Sequence, residues 1–271
     1  MLKRNQIDRN FIGYNKIDMI NAILKGKLSL NEERSEDLLT SCVFDTFRYS
    51  RKYELLFSFL KMARSHNNKV IDLHSFTNPI FEFWPFIKFD DCNPSEPDLI
   101  IEGQDGKDKI LFLIEAKFHS SKSSVADENQ EYPTDQLARE YDNLIRLVKD
   151  RSATKGYLIY LTAHMDFPYL DVKESEDEFT QKRKDPCFIY WLNWQTLTKL
   201  IDQEKETILI ELKQLLQRHG LNFFRGIPVI DNAIVENWKK WQFYKKNNLY
   251  KWEPELKVIY YPYRFIVNKN Q

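Results

Sequence analysis

Residues 97–117 read PDLIIEGQDGKDKILFLIEAK. Two apolar runs, Asp98–Glu102 and Lys109–Phe118, flank the polar segment Gln104-Asp105-Gly106-Lys107. Asp-Gly suits a tight loop that needs positive φ, so the runs are expected to pair as an antiparallel hairpin. The second run is apolar enough to lie inside a sheet. With Asp105 and Gly106 as the loop, Gln104 pairs with Lys107 and Asp98 faces Leu113. Opposed residues share a sheet face, as do residues two apart on one strand. Asp98, Glu115 and Lys117 are then expected on one face, with Asp98 and Glu115 as diagonal neighbours roughly 7–8 Å apart.

Two carboxylates in so apolar a strand pair need a reason, because burying an unpaired charge is costly. A divalent cation between them removes the conflict. Oxygen ligands favour Mg²⁺ or Mn²⁺ over zinc. Lys117 is one side-chain step from Glu115, where an ammonium can orient a water and stabilise charge on phosphate. Glu-x-Lys alone carries little, since it recurs as Glu211-Leu212-Lys213 and Glu255-Leu256-Lys257 in a chain with 30% charged residues. Pro97-Asp98, a tight turn, an apolar strand and Glu-Ala-Lys in that order are more specific.

On the N-terminal side, Ile17–Leu28 has a short helical pattern. Ser35 reads as an N-cap followed by the acidic first turn Glu36-Asp37, and Leu38, Leu39, Val43, Phe44 and Phe47 follow at helical spacing. Residues 52–65 suggest a second helix, and Ile80–Phe89 a strand broken by Pro85. On the C-terminal side, 119–131 reads as a polar, mobile loop, and 133–150 as a helix with Pro133 near its start. Gly156–Ala163 and Phe188–Trp194 read as strands, 171–186 as a charged insertion, and Thr196–Gln217 as one long helix stopped by Gly220. The expected architecture is an α/β core over 35–225 with a central mixed sheet flanked by helices. A helical N-terminal extension (1–34) and an aromatic, basic C-terminal extension packed on the core (226–271) complete it.

The composition supports a sizeable core, with 42% hydrophobic and 14% aromatic residues in 271. The 7 glycines include no phosphate-cradling motif. Charge is balanced, 40 basic against 40 acidic residues, so a phosphate-binding surface must be a local patch. Cys42, Cys92 and Cys187 have neither zinc spacing nor the pattern of a disulfide framework. No secretory leader or membrane span is read, and a soluble, cytoplasmic protein is expected.

Pro97-Asp98 followed by Glu115-Ala116-Lys117 resembles the PD-(D/E)xK nuclease superfamily, the restriction-endonuclease-like proteins. The resemblance covers about residues 35 to 195 and implies a core of helix, three-stranded meander, helix and further strand. It also implies Mg²⁺ or Mn²⁺ as cofactor, with Asp98, Glu115 and the Ala116 carbonyl as metal ligands and Lys117 as the catalytic ammonium. Glu36 matches an extra metal ligand in the first core helix, although a first-turn acid also suits the helix dipole. Gln136 and Tyr141 resemble a Gln–Tyr pair on the helix after the Lys strand, but stand five apart where four is usual.

The function that follows is metal-dependent hydrolysis of DNA phosphodiester bonds, in defence, restriction or repair. The alternative is an inactive relative that binds nucleic acid or scaffolds a complex. Two-strand cleavage needs two sites, hence a homodimer, partner subunits or two successive nicks. Among other features, His119-Ser120-Ser121-Lys122 is a solvated loop or a phosphate contact, and His164 is structural. Lys182-Arg183-Lys184 reads as solvated. Glu236–Gln271, with eight basic and three acidic residues, interleaves Lys239, Lys240, Lys245 and Lys246 with aromatics. That pattern suits nucleic-acid contact or core packing.

Overall fold

The computed structural model describes residues 17–27, 36–118, 120–223, 243–246 and 249–252. Its centre is the expected hairpin, β2 (Leu99–Asp105) and β3 (Asp108–Lys117), extended by β1 (Thr77–Phe83) into an antiparallel meander. Helix α4 (Gln136–Asp150) carries the chain back to β4 (Lys155–Thr162), which runs parallel to β3. Strand β5 (Ile189–Asn193) adds in parallel to β4, completing a mixed sheet of order β1-β2-β3-β4-β5. The protein is thus α/β, with helices on both faces of a five-stranded sheet.

The hairpin register differs from the expected one. Asp105 pairs with Asp108, so the loop is Gly106-Lys107, with Gly106 at φ 63°. Pairing slides by two residues: Leu99 opposes Ile114, and Asp98, just before β2, stands across from Glu115 instead of Leu113. A slip of one would have put Asp98 on the opposite face from Glu115; a slip of two preserves the face.

Strict alternation splits the strands between two cores. Leu99, Ile101, Phe112, Ile114, Ile159 and Leu161 pack on one face, against α2 (Glu36–Ser50), α3 (Tyr53–Lys61), α6 (Trp194–Leu200) and α7 (Thr207–Arg218). Ile100, Leu111, Leu113, Leu158 and Tyr160 pack on the other, against α4 and α5 (Tyr169–Arg183). Helix α1 (Ile17–Leu24), within the segment read as an N-terminal extension, places Ile20 and Ile23 in the first of these cores. Ser35, read as the N-cap of α2, lies outside the described residues.

Other expectations are corrected. The second helix stops at Lys61, and Arg64 then bridges Trp191. The charged insertion is helix α5. Its few buried apolar residues, Val172 and Phe179, give too weak a periodicity to read, and its buried carboxylates face partners distant in sequence. The single long C-terminal helix is two, α6 and α7, separated around Asp202–Glu206. Residues 120–135 are cross-tied rather than loose: Ser124 Oγ donates to the Thr134 carbonyl at 2.8 Å and Asp127 N to Thr134 Oγ1 at 2.7 Å. Lys182 Nζ binds the carbonyls of Asp127, Glu128 and Gln130, and Arg183 grips buried Asp142, so neither cation is merely solvated.

The chain divides into two units, Met1–Phe223 and Phe224–Gln271. The described part of the second is an antiparallel hairpin, β6 (Phe243–Lys246) and β7 (Leu249–Trp252). The reading of 226–271 as an aromatic, basic extension packed on the core otherwise lies outside the described residues.

Candidate active site

The site is assembled at the C-terminal end of β3, where Glu115 ends the apolar run Ile110–Ile114. Asp98, Glu115 and Lys117 are all buried and lie on the α4 side of the sheet. Asp98 Oδ2 accepts from the Ala116 backbone N–H at 2.8 Å. In a strand, one residue's N–H and C=O point to the same neighbour, so the Ala116 carbonyl also lies toward Asp98. Lys117 Nζ donates to Glu115 Oε1 at 2.6 Å and to Glu36 Oε1 at 3.3 Å.

Glu36 is the first residue of α2, on the opposite side of the sheet, and reaches around the strand end. Its Oε2 accepts from Phe118 N at 2.6 Å and Ser120 Oγ at 2.8 Å. Of the four rim residues, Ser120 therefore touches the site, while His119 lies outside the described residues. Lys122 turns inward to Asp135, 2.6 Å away, with its side chain 5% exposed. It pins the loop to α4 and α5 instead of meeting phosphate.

Asp135 caps α4 by accepting from Leu137 N at 3.1 Å and Ala138 N at 3.3 Å, which fixes the first turn that carries Gln136. Gln136 is clamped at both ends of its amide. Oε1 accepts from Ser123 N at 2.7 Å, and Nε2 donates to Glu115 Oε1. Tyr141 is not part of this set: its ring packs edge-on against Phe179 at 4.9 Å. The residue one helical turn from Gln136 is Glu140, which is buried, with Glu115 among the groups that act on its carboxyl. Sequence reading missed it. The usable signal was the spacing itself, since i and i+4 share a helix face.

Burial pushes the Asp98 carboxyl up to about 7, with the Glu115 charge acting in the same direction. Burial also raises Glu115, against the opposing pull of Lys117. Glu140 is raised well above the usual range by burial and then by Glu115 and Asp98. For Lys117, burial favours the neutral amine, but Glu115, Glu36 and Asp98 outweigh it and hold the ammonium charged. Three acids thus act on one lysine, and a fourth, Glu140, is influenced by Glu115.

Among the described residues, no three His, Cys, Asp or Glu side chains are arranged as a ready metal cage. The donors nevertheless have the chemistry of a hard-cation site: carboxylate oxygens, a backbone carbonyl, and a surplus of buried acid. One oxygen of that surplus, Glu140 Oε2, is buried with no hydrogen-bond partner. Closing these oxygens on one ion requires side-chain rotations of the kind ligand binding commonly brings.

No family model matches the chain, and neither a curated protein nor a solved structure matches it.

Proposed function

We propose that this protein is a Mg²⁺- or Mn²⁺-dependent nuclease that hydrolyses DNA phosphodiester bonds at Asp98, Glu115 and Lys117. The observation that carries the reading is the meeting of these three buried side chains at one strand end, with Lys117 Nζ 2.6 Å from Glu115. Helix, three-stranded meander, crossover helix and parallel strand also follow in the order that the PD-(D/E)xK resemblance implies. Asp98 and Glu115 hold the cation with the Ala116 carbonyl, and Glu36 adds a carboxylate from α2. When bound, the ion lowers the pKa of a coordinated water and neutralises phosphate charge.

Lys117 orients the attacking water and stabilises charge on the phosphoryl oxygens. Gln136 fixes the Glu115 carboxylate, its own amide held by the Ser123 backbone. Beside Asp98, whose carbonyl accepts from Trp84 N at 3.0 Å, Trp84 is 39% and Phe86 67% exposed. Exposed aromatic faces beside a phosphate-hydrolysing site suit base stacking. Among the described residues, no helix is long and apolar enough to cross a membrane.

The test is cleavage of plasmid, linear and single-stranded DNA with Mg²⁺ or Mn²⁺, with and without chelator. Metal-dependent cleavage that Asp98→Asn abolishes is expected. DNA binding by a folded wild type that cuts none of these substrates would replace the nuclease by a nucleic-acid-binding relative.

A further inference from the structure

We propose that Glu140 is an additional acidic ligand of the same divalent cation, supplied by α4, an inference that rests on the metal-site reading above. Three observations carry it. Glu140 lies one turn beyond Gln136 on α4, so both side chains leave the same helix face and both meet Glu115. The residue is 1% exposed. Its Oε2 has no hydrogen-bond partner, although buried polar atoms ordinarily have one.

A structural role explains this poorly. Neighbouring positions on the buried side of α4 hold Leu137, Ala138 and Leu144, and an apolar residue at 140 would pack there at no electrostatic cost. Instead a second buried acid sits on the helix face that carries Gln136 toward buried Glu115, and one of its oxygens has no partner. Burying like charges together is strongly unfavourable unless something positive lies between them. Lys117 binds Glu115 and Glu36. Arg139, the neighbour in sequence, does not reach the orphaned oxygen, since Glu140 Oε2 and Arg139 Nε are each without a hydrogen-bond partner. A divalent cation touching Asp98, Glu115 and Glu140 gives the orphaned oxygen a partner and converts mutual repulsion into shared coordination. The strand hairpin then supplies two carboxylates, and the helix packed on it supplies a third.

The competing role is a neutral Glu140 that only donates a hydrogen bond to Glu115. Glu140→Gln separates the two, because the amide donates that bond but carries no charge. Mn²⁺ binding is measured by calorimetry and by electron paramagnetic resonance on wild type, Glu140→Gln and Glu140→Asp, after a thermal-unfolding check that each is folded. The expected result is a roughly 10- to 100-fold weaker Mn²⁺ affinity for Glu140→Gln, and a loss for Glu140→Asp, whose carboxylate is one carbon too short. Wild-type affinity in Glu140→Gln overturns the ligand role and leaves the metal site intact. If Glu140→Gln does not fold, unchanged affinity in Glu140→Asp overturns it instead. A wild type that binds no Mn²⁺ overturns this inference together with the metal-site reading.

Discussion

On one face of the sheet, Leu99, Ile101, Phe112 and Ile114 meet α2, α3, α6 and α7 through aliphatic and aromatic side chains. On the other, Ile100, Leu113 and Tyr160 share their face with Asp98, Glu115 and Lys117, and α4 adds Gln136 and Glu140. The first face resembles an ordinary core, in which each buried group adds to stability. The second buries carboxylates that the fold would be more stable without. Under the proposed function, keeping them there trades stability for a site, as is common where function needs a strained or unpaired group.

The comparison breaks most visibly through activity. Asp98→Asn and Glu115→Gln are expected to lose metal binding and to cut turnover at least ~10³-fold, the scale of several kcal/mol that a metal supplies. Asp98→Asn should nonetheless stay folded, since its amide oxygen can still accept from Ala116 N. Lys117→Ala should lower turnover by roughly 10²- to 10³-fold, the cost of one preorganised charge-stabilising group. Metal affinity should be kept or raised, because a nearby positive charge repels the cation. Calorimetry with Mn²⁺ beside the cleavage assay measures both, and wild-type cleavage by Lys117→Ala would refute its catalytic role.

The apolar face should answer in stability instead. Phe44 is fully buried in α2 against that core. Phe44→Ala is expected to cost about 3–5 kcal/mol in urea unfolding. A cost under ~1 kcal/mol would mean that this face is not the stabilising one.

The pH dependence of stability sharpens the contrast. Asp98 is held at about 7 in the folded protein, against 3.8 for an ordinary aspartate. Between those values the native state keeps a proton that the unfolded chain has released. Stability of the metal-free protein therefore falls as pH rises from about 4 to about 7, by on the order of 4 kcal/mol from this group. Asp98→Asn should flatten the decline and be the more stable protein above pH 7 without metal. Excess Mn²⁺ should restore wild-type stability there, since binding only the native state stabilises it. Thermal unfolding at pH 5 and 8, with and without Mn²⁺, checks both signs.

The same division governs what the sequence could tell. The apolar runs in LIIEG and KILFLIEAK around Asp-Gly made the hairpin readable, and the two-residue period of a strand the shared face of Asp98, Glu115 and Lys117, even with the loop misplaced by one residue. Parity survived because the pairing moved by two. Helix α2 was legible from Leu39, Val43, Phe44 and Phe47, which are apolar and buried. For Glu140 the i+4 spacing from Gln136 gave the helix face but not its burial, because a buried acid looks like a surface acid until the helix is docked. Helix α5 failed for the same reason: in YLDVKESEDEFTQKR, buried Glu176 and Glu178 are indistinguishable by type from exposed Glu174 and Asp177. Their partners, the Ile189 backbone and residues 134–135, lie well outside the segment.

That helix supplies the smallest expected effect and its control. Lys173 pairs with Asp177 one turn on, both exposed. An i, i+4 pair in water is worth only about 0.3–0.5 kcal/mol, so Lys173→Ala should shift urea stability by no more than that. Glu178 is buried and accepts from Thr134 N at 3.0 Å, Thr134 Oγ1 at 3.0 Å and Asp135 N at 2.8 Å. Glu178→Ala strips these donors of their acceptor where water enters poorly, at about 1–3 kcal/mol or more. It also loosens Asp135, the cap that fixes the first turn of α4 and with it Gln136. Two charges five residues apart on one helix should thus differ several-fold in cost, and only Glu178→Ala should also lower cleavage. Equal, small effects from both would make α5 the solvated insertion that its composition suggests, and would leave the cap of α4 to Lys122 and to the Ser175 hydroxyl, which also donates to Asp135.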